Sequence, residues 1–299
     1  MVCMAKLHLP PKEFHLLSRV LLRRFAGYRG LLATLDPRHP NDWVRRKGPR
    51  AVCFTRDIKP DDPFAFEERW QPVEQHLPDA MSAVEAGTIF ADDHLVGVLR
   101  RCLALHFSRS RTIELMSQAI SPQMLENARE RMLIDPLLTT GSGLVLTGDE
   151  GRAIMADDLV ERVKGLGFRP EKQVPNHFIY YFALISRQLE GQPIEISVAM
   201  EGEFLIGDAP ALTLDHQKGF GVPWMQANTH LMPLGRRHLI ATGPTNRIFA
   251  APSHFVESVN RAQVRSAHHH VMWHPDADLE AFVRTEIEAI AAESDAQVT

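Results

Sequence analysis

Cysteine is scarce in this chain: there are 3 in 299 residues. Cys3, Cys53 and Cys102 have no metal-like spacing, and an odd, sparse count points to reduced thiols in a cytoplasm rather than a disulfide framework. No run of about 18 apolar residues occurs, which argues against a transmembrane helix. The opening Met1-Val2-Cys3-Met4-Ala5-Lys6 lacks the apolar core of a signal peptide and soon meets Pro10-Pro11. There is no Gly-x-Ser-x-Gly elbow. Gly141-Ser142-Gly143 with Gly148 lacks the Lys-Ser/Thr ending of a phosphate loop and the glycine spacing of a dinucleotide fingerprint, so it reads as a flexible loop. Internal repeats and low-complexity tracts are absent too.

What remains is ordinary globular sequence, 44% hydrophobic and 23% charged, long enough to bury a sizeable core. We expect an N-terminal extension over 1–11, a single domain over 12–293 and a disordered tail over 294–299. The formal net charge of −4 is unevenly spread: residues 1–56 hold twelve Lys/Arg against three Asp/Glu, a sum of +9, and the rest sums to −13. The basic segment is a candidate face for an anionic ligand or nucleic acid. Alternatively it docks onto the acidic remainder, a reading that the overall acidity favours because it opposes phosphate-backbone binding.

Phe14, Leu17, Leu21 and Phe25, followed by Gly27, predict a helix over 12–26. Strands are expected at Leu31–Leu35 and Val52–Thr55. A helical region over 64–86 should be kinked or split by Pro72 and Pro78, and a long helix is expected over 92–118. Further helices are expected over 122–133, about 150–165 and 175–189. Ile194–Val198 alternates as a half-buried strand does, and Phe204–Ile206 is expected to pair back on it around Glu201-Gly202. Strands at Thr229–Leu234 and His238–Ala241, a helix over 254–268, a strand Val271–Trp273 and a helix over about 277–292 complete the pattern. Helices, then strands, then helices predict an α+β fold: a mainly helical N-terminal two-thirds packed on a mostly antiparallel sheet, with C-terminal helices.

Several polar residues stand in positions that call for a reason. Phe204-Leu205-Ile206-Gly207-Asp208-Ala209-Pro210 runs an apolar strand into a carboxylate, with a proline to stop it. His106 and Arg109 fall on the buried stripe of the 92–118 helix, where an unpaired charge is expensive. His15 and Arg19, four apart, could jointly contact an anion or order a carboxylate; a solvated basic face with Arg23 and Arg24 is the alternative. Glu67, Gln71 and Glu74 would share one helical face, able to hold a metal or a shared proton if Pro72 leaves it regular. His268-His269-His270 and His274 suggest a metal at first sight, but a strand at Val271–Trp273 spoils their spacing, so no metal ligands are assigned. No motif implies a cofactor.

His15-Leu16-Leu17-Ser18-Arg19-Val20-Leu21-Leu22-Arg23-Arg24-Phe25-Ala26 resembles the opening of the domain-of-unknown-function 4238 family. That family begins with a His, often followed by Tyr-Val-Pro-Gln, and then a Tyr-Leu-Arg-x-Phe segment. His15, Leu22, Arg23 and Phe25 match, while Ser18 and Arg19 replace the Pro and Gln. The family's strand ending in Ser-Asp-Asn-Pro is similar to Gly207-Asp208-Ala209-Pro210, which keeps the Asp and Pro. His106-Phe107-Ser108-Arg109 sits where the family often has a Gln followed by an Arg on a long helix. Pro233-Leu234 and Asn260 resemble its Pro-Leu strand segment and late-helix Asn. The resemblance covers about residues 12–275, and implies one domain and no established activity.

Residue types and family position together support two expectations. One is a hydrolase acting on a phosphoester or nucleic acid through a buried His/Arg/Asp cluster, with Asp208, His106, Arg109 and His15 catalytic and Arg19, Arg23 and Asn260 binding substrate. The other is a non-catalytic binding or interaction protein in which the same cluster is structural.

Overall fold

Two sheets and a short ribbon organise the computed structural model, which describes residues 13–56, 58, 60–118, 126–127, 130 and 170–298. The expected helix over 150–165, the Gly141–Gly148 loop and the 1–11 extension lie outside these residues, as does all but residues 126, 127 and 130 of the 122–133 helix.

The ribbon pairs β1 (Phe14–His15) with β4 (Phe54–Thr55). The helix expected from residue 12 therefore starts later, as α1 (Arg19–Arg23). Ser18 sets that start, because its hydroxyl accepts the Val20 N–H at 3.2 Å as an N-cap. The region over 64–86 is split into α2 (Pro63–Glu68) and α3 (Gln71–Glu85), with Pro72 in the first turn of α3 and Pro78 inside it. The long helix over 92–118 is interrupted. α4 (Asp93–Ser108) ends at Arg109, and a second helix, α5, covers 111–118. The break is written in serines. Ser108 Oγ donates back to the Ala104 carbonyl at 2.8 Å, and Ser110 Oγ caps α5 by accepting the Ile113 N–H at 3.3 Å.

α6 (Pro170–Leu189) packs against α4, which packs on its other side against α3. The six-stranded sheet has the order β11-β5-β10-β9-β7-β8. Its strands are β5 (Ile194–Ala199), β7 (Leu212–Asp215), β8 (Gly219–Phe220), β9 (Thr229–Pro233), β10 (His238–Thr242) and β11 (Arg247–Ala251). Every pair is antiparallel except β11 with β5.

The four-stranded sheet joins the two ends of the described chain. Its order is β3-β2-β12-β6, from β2 (Leu32–Leu35), β3 (Arg45–Lys47), β6 (Ile206–Gly207) and β12 (Val271–Trp273). The fold is thus α+β, with strands mostly in the C-terminal half but shared between two sheets and a ribbon. It is not a helical two-thirds laid on one sheet. Two helices follow β11: α7 (Ser253–Ser266), which packs on β6, and α8 (Glu280–Val298), which packs on α7 and runs into the segment expected as a tail.

The expected hairpin of Phe204–Ile206 with β5 does not form. The Phe204 N–H goes instead to the Arg236 carbonyl at 2.8 Å, and Ile206 pairs with Met272 of β12. Side chains of α7 impose this route. Asn260 Oδ1 accepts the Leu205 N–H at 2.9 Å, and Gln263 Oε1 accepts the Gly207 N–H at 2.8 Å. The Gln263 amide also donates to the Pro210 carbonyl at 2.7 Å.

β6 lies so close to α7 that a Cβ on Gly207 would meet the Gln263 carbonyl oxygen at 2.9 Å, whereas one on Gly97 in α4 would meet nothing within 4 Å. Gly207→Ala should therefore destabilise the protein by about 1–3 kcal/mol, and Gly97→Ala should stabilise it by up to about 1 kcal/mol. Urea unfolding of the two variants checks both signs.

Candidate functional site

The expected site residues fall in two places. His15, Arg19, His106 and Arg109 gather where β1, α1 and the C-terminal end of α4 meet. Asp208 lies in a separate place, on a cavity of about 290 Å³ shared with Cys53, Thr55, Arg56, Arg111 and His269, and none of the first group lines it.

Arg109 is the centre of the first group. It is 2% exposed, and its Nη2 donates to Glu74 Oε1 of α3 at 2.5 Å. Its guanidinium carbon lies 5.5 Å from the centre of the Trp70 ring, an arrangement that a delocalised cation favours. Trp70, in the turn between α2 and α3, is 1% exposed and wedged edge-on against Phe66 at 5.4 Å and Phe182 at 5.3 Å. Packing of aromatic rings therefore holds the indole, and the indole helps hold the cation.

His106 lies one helical turn before Arg109 and is fully buried. Its Nε2 is 3.2 Å from the Ser18 nitrogen, whose N–H can only donate, so Nε2 accepts. The ring proton is then on Nδ1, which donates to the Cys102 carbonyl at 2.8 Å. Both nitrogens are occupied by backbone. Burial, and after it the Arg109 charge, pushes the His106 pKa down to about 4. His106 is a neutral strut that fixes the entry to α1 rather than a group free to move protons.

Glu67 and Glu74 complete the cluster. Burial pushes the Glu67 carboxyl up, and the Glu74 charge adds to that, although Arg109 and Arg19 pull the other way. Burial also raises Glu74, but the Arg109 charge and hydrogen bond outweigh it and hold Glu74 below the usual carboxylate range. His15 is pushed down, first by burial and then by the Arg19 and Arg109 charges. Four buried polar atoms here have no hydrogen-bond partner among the described residues: His15 Nδ1, Glu67 Oε1, Trp70 Nε1 and Arg109 Nε. Such atoms are rare because each forfeits its solvation.

The remaining expected residues serve the fold or face solvent. Both Asp208 oxygens are taken by backbone, accepting the N–H groups of His268 and His269 at 2.8 Å each. Asn260 is 2% exposed, its amide bonded to Leu205 N–H and to the Glu203 carbonyl. Arg23 is exposed at the end of α1. No group of His, Cys, Asp or Glu that could hold a metal occurs among the described residues. Glu67 and Glu74 are the important additions. Their seven-residue spacing was visible, yet they lie on different helices and meet at Arg109, not on one helical face. Trp70 gave no sequence signal beyond being large and apolar.

Residues 14–277 match the family model described as "Protein of unknown function (DUF4238)". The chain belongs to the DUF4238 family. No curated protein and no solved structure matches it. The DUF4238 match spans β1 to the loop after β12, so both the Arg109 cluster and the Asp208 cavity lie inside it.

Because the native His106 pKa of about 4 lies below the ordinary value near 6.5, its contribution to stability is complete above pH ~6.5 and is lost as pH falls toward 4. The unfolding free energy should drop by about 2 kcal/mol between pH ~7 and pH ~5 from this residue alone. In His106→Gln that part of the slope should vanish, as measured by urea midpoints at the two pH values.

Proposed function

We propose that this protein hydrolyses a phosphoester, with nucleic acid as one such substrate, at the cluster of His15, Arg19, Glu67, Trp70 and Arg109. The observation that carries the reading is the set of four unpartnered buried atoms, which belong to a base, an acid and two N–H donors. Environment favours the protonation state each role needs, with His15 pushed down toward the neutral base and Glu67 pushed up toward the protonated acid. Those are the forms in which a general base and a general acid act.

Neutral His15 takes a proton from water as the water oxygen attacks phosphorus. The P–O bond to the leaving group breaks, and protonated Glu67 gives its proton to the departing oxygen. Arg109 Nε–H, Trp70 Nε1–H and the Arg19 charge stabilise the phosphoryl oxygens as charge builds. Glu74 does no chemistry; its hydrogen bond orients Arg109. The proton gained by His15 and the one lost by Glu67 are exchanged through solvent between turnovers. A cytoplasmic location belongs to the same proposal and accords with the free, buried thiols of Cys53 and Cys102. No helix among the described residues is long and apolar enough to cross a membrane.

A second reading, a non-catalytic binding protein, is favoured by His106, Asp208 and Asn260, whose polar atoms are bonded to backbone. Assays with p-nitrophenyl phosphate and bis(p-nitrophenyl) phosphate separate the two. The hydrolase reading expects His15→Ala and Glu67→Gln each to lose about 10²–10⁴-fold in kcat with the unfolding midpoint kept. It also expects a bell-shaped pH profile: activity rises as His15 loses its proton below its ordinary value near 6.5, and falls as Glu67 loses its own above its ordinary value near 4.3. Absence of turnover in the wild-type protein with either ester favours the binding reading.

A further inference from the structure

The basic segment of the chain remains to be accounted for. Among the described residues Arg24 alone of this segment forms an ion pair with the acidic remainder, with Glu85. Arg38, Arg45 and Arg56 pair with Asp36, Asp42 and Glu13 of the same segment. Lys47 has no ion-pair partner among the described residues, and there the side chain of Arg46 reaches only the Pro275 carbonyl, at 3.5 Å. These charges lie on β3, an outer edge of the four-stranded sheet. Charge on an edge strand keeps it from pairing with another sheet, which would explain Arg45-Arg46-Lys47 by itself. It does not explain two large aromatic side chains left in solvent beside them, Trp43 at 90% and Tyr28 at 86% exposed.

Strand alternation sorts these groups onto two faces. Arg45 and Lys47 line a cavity of about 280 Å³ with Trp43, on one side of β3. Arg46 lines a second, of about 300 Å³, with Tyr28 and Arg29. The Arg29 guanidinium lies 5.3 Å from the Tyr28 ring centre. The carboxylates of the first cavity, Asp36 and Asp42, are already engaged by Arg38 and Arg45. The second holds Asp276 at its rim.

The geometry points to a binding site for single-stranded nucleic acid at β3. The strand crosses the β3 edge: its phosphates meet Lys47 on one face and Arg46 on the other, the cations left without a carboxylate, and unpaired bases stack on Trp43 on the first face and on the Tyr28–Arg29 pair on the second. Unpaired bases offer free π-faces to exposed rings, and the cations neutralise the backbone between them. A duplex has its base faces covered, so the aromatics select the single strand. The site is separate from the Arg109 cluster and does not rest on the hydrolase reading.

The test is fluorescence anisotropy of the full chain with a labelled single strand of about 12 nucleotides, as RNA and as DNA of the same sequence. Competitors are the matching duplex and phosphatidylserine vesicles. We expect single-strand binding that quenches tryptophan emission and weakens linearly on a log–log salt plot. Trp43→Ala should weaken it about tenfold, Trp43→Phe should retain most of it while removing the quench, and Lys47→Glu should weaken it and lower the salt slope by about one. Glu67→Gln should bind as the wild type does, so loss of turnover and loss of binding are read independently. No single-strand binding at low salt, equal affinity for the duplex with no effect of Trp43→Ala, or binding to the vesicles alone would each overturn the proposal.

Discussion

A guanidinium as deeply buried as that of Arg109 has to be answered by a carboxylate, and the local structure is arranged around that need. Glu74 answers it from α3, which ties α3 to the end of α4. Trp70 lies beneath the cation and closes the side facing α6 through Phe182. One turn earlier His106 reaches the N-terminus of α1, so the same stretch of α4 also fixes where α1 begins. His15 and Glu67 are held next to the pair because β1 and α2 pack on this framework. Arg109 sits at the helix C-terminus, where a cation is favoured, and the serines on either side turn the chain there.

Burial divides the polar residues of the core into two kinds. His106, Asp208, Asn260 and Gln263 direct their hydrogen-bonding atoms at backbone and determine chain routing. His15 and Glu67, half-buried, and Trp70 and Arg109, buried, each hold a buried atom unpartnered among the described residues, and they share one neighbourhood. Residue type does not separate these classes: a histidine belongs to each. The charges also settle into local arrangements. Arg38, Arg45 and Arg56 are answered within their own segment, leaving Arg46 and Lys47 on the sheet edge.

Much of the secondary structure was legible because its signals are local. Ile194–Ala199, His238–Thr242 and Val271–Trp273 alternate or cluster apolar residues as strands do, and α3, α4, α6 and α7 carry helical stripes. The misread elements depend on partners distant in sequence. Phe14-His15 becomes a strand because Phe54-Thr55 is there to pair with it. Phe204–Ile206 avoids β5 because Asn260 takes the Leu205 N–H and Gln263 takes that of Gly207, the next residue along, each from more than fifty residues away.

The sequence by itself determined the α+β class, the DUF4238 membership and the positions where polar residues interrupt apolar stripes. Those features reside in composition, period and short motifs. Only the tertiary structure decided that Asp208 and the Arg109 cluster are separate, that His106 is a strut, and that Glu67, Glu74 and Trp70 belong with Arg109. A buried charge selects its partners by distance and dielectric, and neither quantity is defined until α2, α3 and α4 have packed.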